Sequence, residues 1–257
     1  MSAYDELVKE FRITDPDDQA AYLKYHSFLP KMAADSNAIA QESALACLIA
    51  FVEFSPTAAQ TREDVLPVIM DKCLSVSRTG AKRKTIDLLL MYCEIDTPDP
   101  VIECLLGGLG HKMPKVVAMC VTCLKEVVQA FGARTFNVKP LIKALPKMFA
   151  HTDKTVRAEA SQMTVELYRW LGEVLVSQLQ ELKPVQLKEL NEQFEKLPKE
   201  RPVQSRLLRS QAAATEAAAD EPGAAAAAAD GEGGAAGGDD GFVEVDAYEL
   251  ADPVDVL

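Results

Sequence analysis

The chain is predicted to be all-α, an α-solenoid of stacked helix pairs with a disordered acidic C-terminal tail. Three observations lead there. Apolar residues step by three or four through residues 3–196, with no strand-like alternation. Polar turns centred near residues 36, 79, 113 and 153 interrupt the pattern, and a spacing of roughly 40 residues is the signature of HEAT-type repeats. From about residue 211 the chain turns to Ala, Gly and acidic residues, a composition that cannot bury enough surface to fold.

The elements follow in order. Residues 3–11 form a short helix with Tyr4, Leu7, Val8 and Phe11 on one face. Asp17 opens a second helix running to about Ala34, with Tyr22, Tyr25, Phe28 and Leu29 apolar. The turn Asp35-Ser36-Asn37 leads to a third helix over 38–54, packed through Leu45, Leu48, Ile49 and Val52. Thr61 is the predicted N-cap of the next helix, with Asp64 at the reciprocal capping position. A turn over 77–82 precedes a helix over 82–94. Thr97-Pro98 reads as a cap with a helix-start proline. Gly107-Gly108-Leu109-Gly110 closes that helix, and a turn over 110–115 leads to a helix over 115–131. The helix containing Leu141, Leu145 and Phe149 carries Pro140 and Pro146, which bend it. Asp153 caps a long helix whose Val156, Ala160, Met163, Leu167, Trp170, Leu171 and Val174 share one face. A last helix covers 184–196, starting at Pro184. Each pair hides its apolar face only by stacking on the next, so residues 1–211 form one domain. Residues 212–241 form an Ala/Gly/acidic linker, and hydrophobic residues return over 242–257.

Charge is divided unevenly. The formal net charge is −12, yet residues 212–257 hold 12 acidic and no basic residues, leaving 27 of each sign in residues 1–211. A neutral body lacks the basic excess of a nucleic-acid binder. No apolar run approaches the roughly 18 residues of a membrane helix, and MSAYDELVKEF lacks the basic-then-apolar order of a signal peptide. No nucleic-acid or membrane partner is expected. The six cysteines sit in apolar helical patterns. The one tight pair, Cys120-x-x-Cys123, has no second pair to complete a four-ligand zinc site. The three histidines lie in different cycles, and no nucleophile context or phosphate-binding loop is present. No catalytic residue, metal or cofactor is predicted.

In a solenoid, turns of the same phase line up along one edge. Here that edge carries Ser36 and Asn37, then Arg78, Thr79, Lys82 and Arg83, then Lys112 and Lys115, then Lys154 and Arg157. Such a ladder suits an acidic protein surface, with Arg and Lys supplying steering and orientation. Helix turns are polar wherever they meet water, so the residues alone are equally consistent with ordinary solvation.

A resemblance sharpens this. DSNAIAQESAL at 35–45, LLLMYCEID at 88–96, LLGGLGHKMPKVVAMCVTCL at 105–124, VKPLIKALPKMF at 138–149, DKTVRAEA at 153–160, VELYRWLG at 165–172, PVQLKELNEQFEKLP at 184–198 and SRLLRSQ at 205–211 occur in a specific order. This set resembles the first TOG domain of the ch-TOG family of microtubule polymerases, across residues 3–211. The resemblance implies a HEAT domain that grips the αβ-tubulin heterodimer with its intra-repeat turns, as part of a polymerase acting at the microtubule plus end. It implies a place in the cytoplasm and on the cytoskeleton, at microtubules, spindle pole and kinetochore. Carried over by position, it assigns tubulin contacts to Ser36, Asn37, Thr79, Lys82, Lys112, Lys115, Lys154 and Arg157, with Trp170 a core residue. The alternative is a HEAT scaffold for a different acidic protein partner.

The departures from the family pattern lie at the ends. Family members carry a helix before residue 3 that ends in a turn with a tubulin-contacting tryptophan, and 245–257 resembles the lead-in to a second TOG domain. A chain truncated at both ends is expected from that comparison. Its first helix would lack a packing partner and fray, and its tubulin affinity would be reduced.

Overall fold

The computed structural model describes residues 3–198 and 200–219. Residues up to Leu208 form one compact unit. Its helices are α1 (Ala3–Ile13), α2 (Gln19–Leu23), α3 (Leu29–Ala33), α4 (Ala38–Phe54), α5 (Arg62–Val68), α6 (Thr79–Glu94), α7 (Asp99–Gly108), α8 (Pro114–Phe131), α9 (Lys139–Phe149), α10 (Lys154–Leu171), α11 (Glu173–Gln178) and α12 (Pro184–Phe194). One layer stacks α1, α4, α6, α8, α10 and α12 in succession; a second stacks α3, α5, α7 and α9. Between them lie Leu45, Leu48, Phe51, Leu88, Tyr92, Val117, Leu124, Met163 and Leu167, all essentially inaccessible to water. Each such side chain contributes about 1.5–3 kcal/mol of burial, which is why the layers hold without any strand among the described residues.

Several local expectations change. The helix predicted from Asp17 to Ala34 is two short helices separated by turns over residues 24–28. Pro30 explains the break: a proline fits the first turn of α3 but not a helix interior. Asp18, rather than Asp17, caps α2, accepting from the Ala21 amide at 3.1 Å. Thr61 does not cap α5. It is 2% exposed, its hydroxyl donates to the Ala58 carbonyl at 2.7 Å, and it shares a 2.8 Å hydrogen bond with the Tyr92 hydroxyl. The helix predicted to run through Val174 stops at Leu171, because Gly172 turns the chain at φ 61°.

Helix α1 has a packing partner after all. It lies along α4 with Phe11 buried, and Phe11 meets Phe51 edge-on at 5.4 Å and Tyr25 at 5.1 Å. The Tyr25 hydroxyl donates to Glu10 at 2.6 Å, which holds that carboxyl below its ordinary range.

Trp170 is half-buried. Its ring lies against Gly132, where an added Cβ would fall 2.6 Å from ring carbon Cζ3, and its Nε1 donates to Glu166 at 3.2 Å.

Beyond α12 the chain doubles back as an extended strap. The Ser205 and Arg206 amides both donate to the Ala130 carbonyl at the end of α8, at 3.0 and 3.1 Å. The Arg206 guanidinium reaches Glu94 at 2.7 Å and Asp87 at 3.6 Å on α6. The second unit begins at Arg209, and its described part is helix α13 (Arg209–Ala219). Residues 212–219, expected as disordered linker, therefore continue a helix, as an Ala-rich sequence favours. The rest of the expected linker and the 242–257 segment lie outside the described residues.

Candidate functional site

The second helix of each pair begins in the same way. Asn37, Arg78, Met113, Asp153 and Lys183 are all N-cap residues with extended backbone, ψ between 115° and 144°. Adjacent caps are tied across repeats. Glu42 on α4 accepts from Arg78 Nε and Lys84 Nζ, both at 3.0 Å. Lys115 Nζ donates to Ser77 Oγ at 3.0 Å, joining the third turn to the second. Gln186 Nε2 donates to the Phe149 carbonyl at 3.2 Å, joining the fifth turn to the end of α9. The N-terminal ends of α4, α6, α8, α10 and α12 thus make one edge, where unsatisfied helix N–H groups and surface cations meet solvent.

All eight sequence-predicted residues fall on this edge. At the first turn Ser36 and Asn37 are exposed. Asn37 is also structural: its Oδ1 accepts from the Ile39 and Ala40 amides at 2.9 and 3.1 Å. At the second turn α6 starts at Thr79, three residues earlier than expected, so Thr79 and Lys82 project from a first helical turn rather than a loop. Gly80 allows this packing, since a Cβ there would meet Glu42 Oε1 at a clashing distance. The two cations beside Glu42 hold its carboxyl below the ordinary carboxylate range, Lys84 first and Arg78 second. At the third turn Lys112 and Lys115 are exposed.

At the fourth turn the Asp153 carboxylate accepts from Thr155 and Val156 amides at 2.7 and 3.3 Å, and those backbone bonds lower its pKa. Arg157 Nη1 donates to the His151 and Thr152 carbonyls, both at 2.7 Å. Its guanidinium is therefore fixed before any partner arrives. Arg157 also walls an open groove of about 380 Å³ shared with Ser161, Gln186 and Gln193. Lys82, Lys112 and Lys154 make no side-chain hydrogen bond or ion pair among the described residues, and so stand free for an incoming acidic group.

Two features of the edge escaped sequence reading. One is the fifth turn, because α11 is too short to announce a helix pair. The other is apolar: Ile39 is 67%, Met113 48% and Val185 68% exposed.

Other chemistry is not assembled among the described residues. No cluster of His, Cys, Asp and Glu is arranged to hold a metal ion. All six cysteines are free, and burial pushes the Cys47, Cys73 and Cys120 thiols up to about 12. No described helix is long and apolar enough to cross a membrane.

Comparison with known proteins places this architecture. The family profile described as XMAP215/Dis1/CLASP, TOG domain, matches residues 1–194. Protein mini spindles of Drosophila melanogaster is 38% identical, over the whole of this chain and 12% of that protein. Spindle pole body component alp14 of Schizosaccharomyces pombe is 36% identical, over 84% of this chain and 27% of that protein. Centrosomal protein 224 of Dictyostelium discoideum is 34% identical, over 85% of this chain and 11% of that protein. The chain thus spans about a quarter or less of the length of these relatives. Among solved structures, a chain from "Structural Basis of Tubulin Recruitment and Assembly by Microtubule Polymerases with Tumor Overexpressed Gene (TOG) Domain Arrays" superposes with a TM-score of 0.75. It is 28% identical, over 84% of this chain and 47% of that one. Drosophila melanogaster Mini spindles TOG3 shares the fold at 21% identity and TM-score 0.71, over 80% of this chain and 90% of that one. The chain belongs to the XMAP215/Dis1/CLASP family, through a TOG-domain match over residues 1–194.

Proposed function

We propose that this TOG domain binds the αβ-tubulin heterodimer along the edge formed by the N-terminal turns of α4, α6, α8 and α10. Ser36, Asn37, Thr79, Lys82, Lys112, Lys115, Lys154 and Arg157 make the contacts. The observation that carries the reading is the alignment of these residues on one edge, three of their cations unpaired, in a chain of this family. Complementary charge gives fast, oriented association, and the prearranged Arg157 meets a carboxylate at little entropic cost. Within a longer protein carrying further such domains, the binding would serve a microtubule polymerase that delivers tubulin to plus ends, on the cytoskeleton and the mitotic spindle. The domain works by holding a partner, with no chemical step.

The test is size-exclusion chromatography with purified soluble tubulin. The native chain co-elutes with tubulin, and the Arg157→Glu, Lys115→Glu double variant does not. A double variant that co-elutes as well as the native chain places the contact elsewhere. A native chain that leaves tubulin unshifted overturns the assignment.

A further inference from the structure

Three of the five turns share a detail that no single turn reveals. Two residues before the N-cap, a side chain accepts the N-cap residue's own backbone amide. In the first turn Asp35 Oδ1 accepts from Asn37 N at 2.9 Å. In the third His111 Nδ1 accepts from Met113 N at 3.1 Å. In the fourth His151 Nδ1 accepts from Asp153 N at 3.0 Å. A backbone amide can only donate, so both imidazole Nδ1 atoms are unprotonated and each ring carries its proton on Nε2. Histidine is not among the ordinary capping residues, yet here it fills the role of the aspartate at the same position of the first turn.

These two turns hold four of the eight predicted contacts, Lys112, Lys115, Lys154 and Arg157. His111 is followed by Lys112 and Lys115, and Lys115 spans to Ser77. The His151 carbonyl receives Arg157 Nη1, so the ring closes the turn from one side while the guanidinium closes it from the other. The carbonyl position that orients Arg157 depends on the turn that His151 folds. Asp35 is itself braced, accepting from the Tyr4 hydroxyl at 3.1 Å; the His111 Nε2 faces Asp71 at 3.8 Å.

We propose that His111 and His151 are positioning residues of the binding edge: each holds its turn through an Nδ1 acceptor, and so fixes where Lys112, Lys115 and Arg157 point. The proposal rests on the tubulin reading for its consequence, though not for its geometry. A polar side chain with the same reach and a permanent acceptor, asparagine, replaces the ring; alanine does not.

The experiment compares the full chain, the His111→Ala, His151→Ala variant and the His111→Asn, His151→Asn variant. Three readouts are taken: hydrogen exchange of the Met113 and Asp153 amides, thermal midpoint, and affinity for purified tubulin. In the alanine variant exchange at the two amides rises on the order of tenfold, and tubulin affinity falls roughly three- to tenfold, the loss expected for one modest hydrogen bond per turn. The asparagine variant restores both. Nitrogen-15 spectra of the native histidines show the Nε2–H tautomer. Unchanged amide exchange in the alanine variant overturns the proposal, as does native affinity in that variant despite faster exchange. Asparagine that restores protection without restoring affinity also overturns it. If the native chain shows protected amides and binds no tubulin, the tubulin reading fails while the exchange data still decide the role of the rings in the turns.

Discussion

Substituting Gly132 by alanine tests the packing between the C-terminal ends of α8 and α10. Gly132 follows α8 with φ 74° and ψ 162°, a backbone region essentially reserved for glycine, where another residue costs of order 1–3 kcal/mol. Its missing side chain leaves room for the Trp170 ring, which an added Cβ would meet at 2.6, 2.8 and 3.0 Å through three different carbons. Ring atoms cannot bend away singly, so the indole must move as a unit, and overpacking of this kind costs about 1–3 kcal/mol. Moving it also lengthens the Trp170 Nε1 bond to Glu166, a mostly buried carboxylate that retains Arg169 at 2.9 Å. The combined destabilisation is about 3–5 kcal/mol, which for a domain of this size lowers Tm by on the order of 10 °C. Trp170 is the single tryptophan, so its fluorescence reports the site without labels. Gly132→Ala is expected to shift the emission maximum as well as Tm. A variant that melts within about 1 °C of the native chain, with unchanged emission, would refute the packing argument.

Further expectations follow from other contacts. Phe194 is 7% exposed and stacks on Tyr168 with centroids 3.9 Å apart and planes 4° apart; Phe194→Ala removes about 3 kcal/mol of packing and raises hydrogen exchange through α12 before it affects α4 or α6. Burial holds the His26 ring below its ordinary value, with Asp64 opposing weakly, and its Nε2 lies 2.8 Å from Thr57 Oγ1. The unfolded chain takes up that proton as pH falls below about 6.5 while the folded chain resists it. Stability therefore declines through that window, and denaturant titrations of His26→Gln show a shallower decline. Because the thiolate is the reactive form, alkylation at pH 8 labels half-buried Cys104 first, and Cys47, Cys73 and Cys120 only on unfolding. Peptide mass spectrometry reads the order directly, and early labelling of Cys47 would contradict the burial.

Much of this architecture is legible from periodicity. The stripe Leu45, Leu48, Val52 marks α4 over the residues where it forms, and Asp153 declares its cap, because both signals are local. Thr61 misleads for the opposite reason: its hydroxyl satisfies Tyr92, 31 residues away, a demand no local pattern records. Pro30 contains the signal that splits α2 from α3, but Tyr22, Tyr25, Phe28 and Leu29 ahead of it resemble one continuous face. At the candidate site the cations could be read from the turns, while their states could not. Whether a lysine stands free or is held depends on residues from the neighbouring repeat, as Glu42 holds Lys84 and Ser77 receives Lys115. The histidine acceptors are visible only once N-caps 37, 113 and 153 are superposed.

The strap over residues 200–208 has a mechanical consequence. The family match ends at residue 194, at the last turn of α12, yet the chain does not leave the domain there. It is first tethered to the ends of α8 and α6 through the Ala130 carbonyl and Glu94. Tension drawn from residue 209 onward is therefore loaded onto two interior repeats, and α12 is shielded from being peeled off as the terminal helix. A helix stack that would unzip from its end is instead pulled at α6 and α8, where each helix has neighbours on both sides. Releasing both the Arg206 guanidinium and the two amide bonds to Ala130 would move the point of loading to α12 and lower the force at which the stack begins to open.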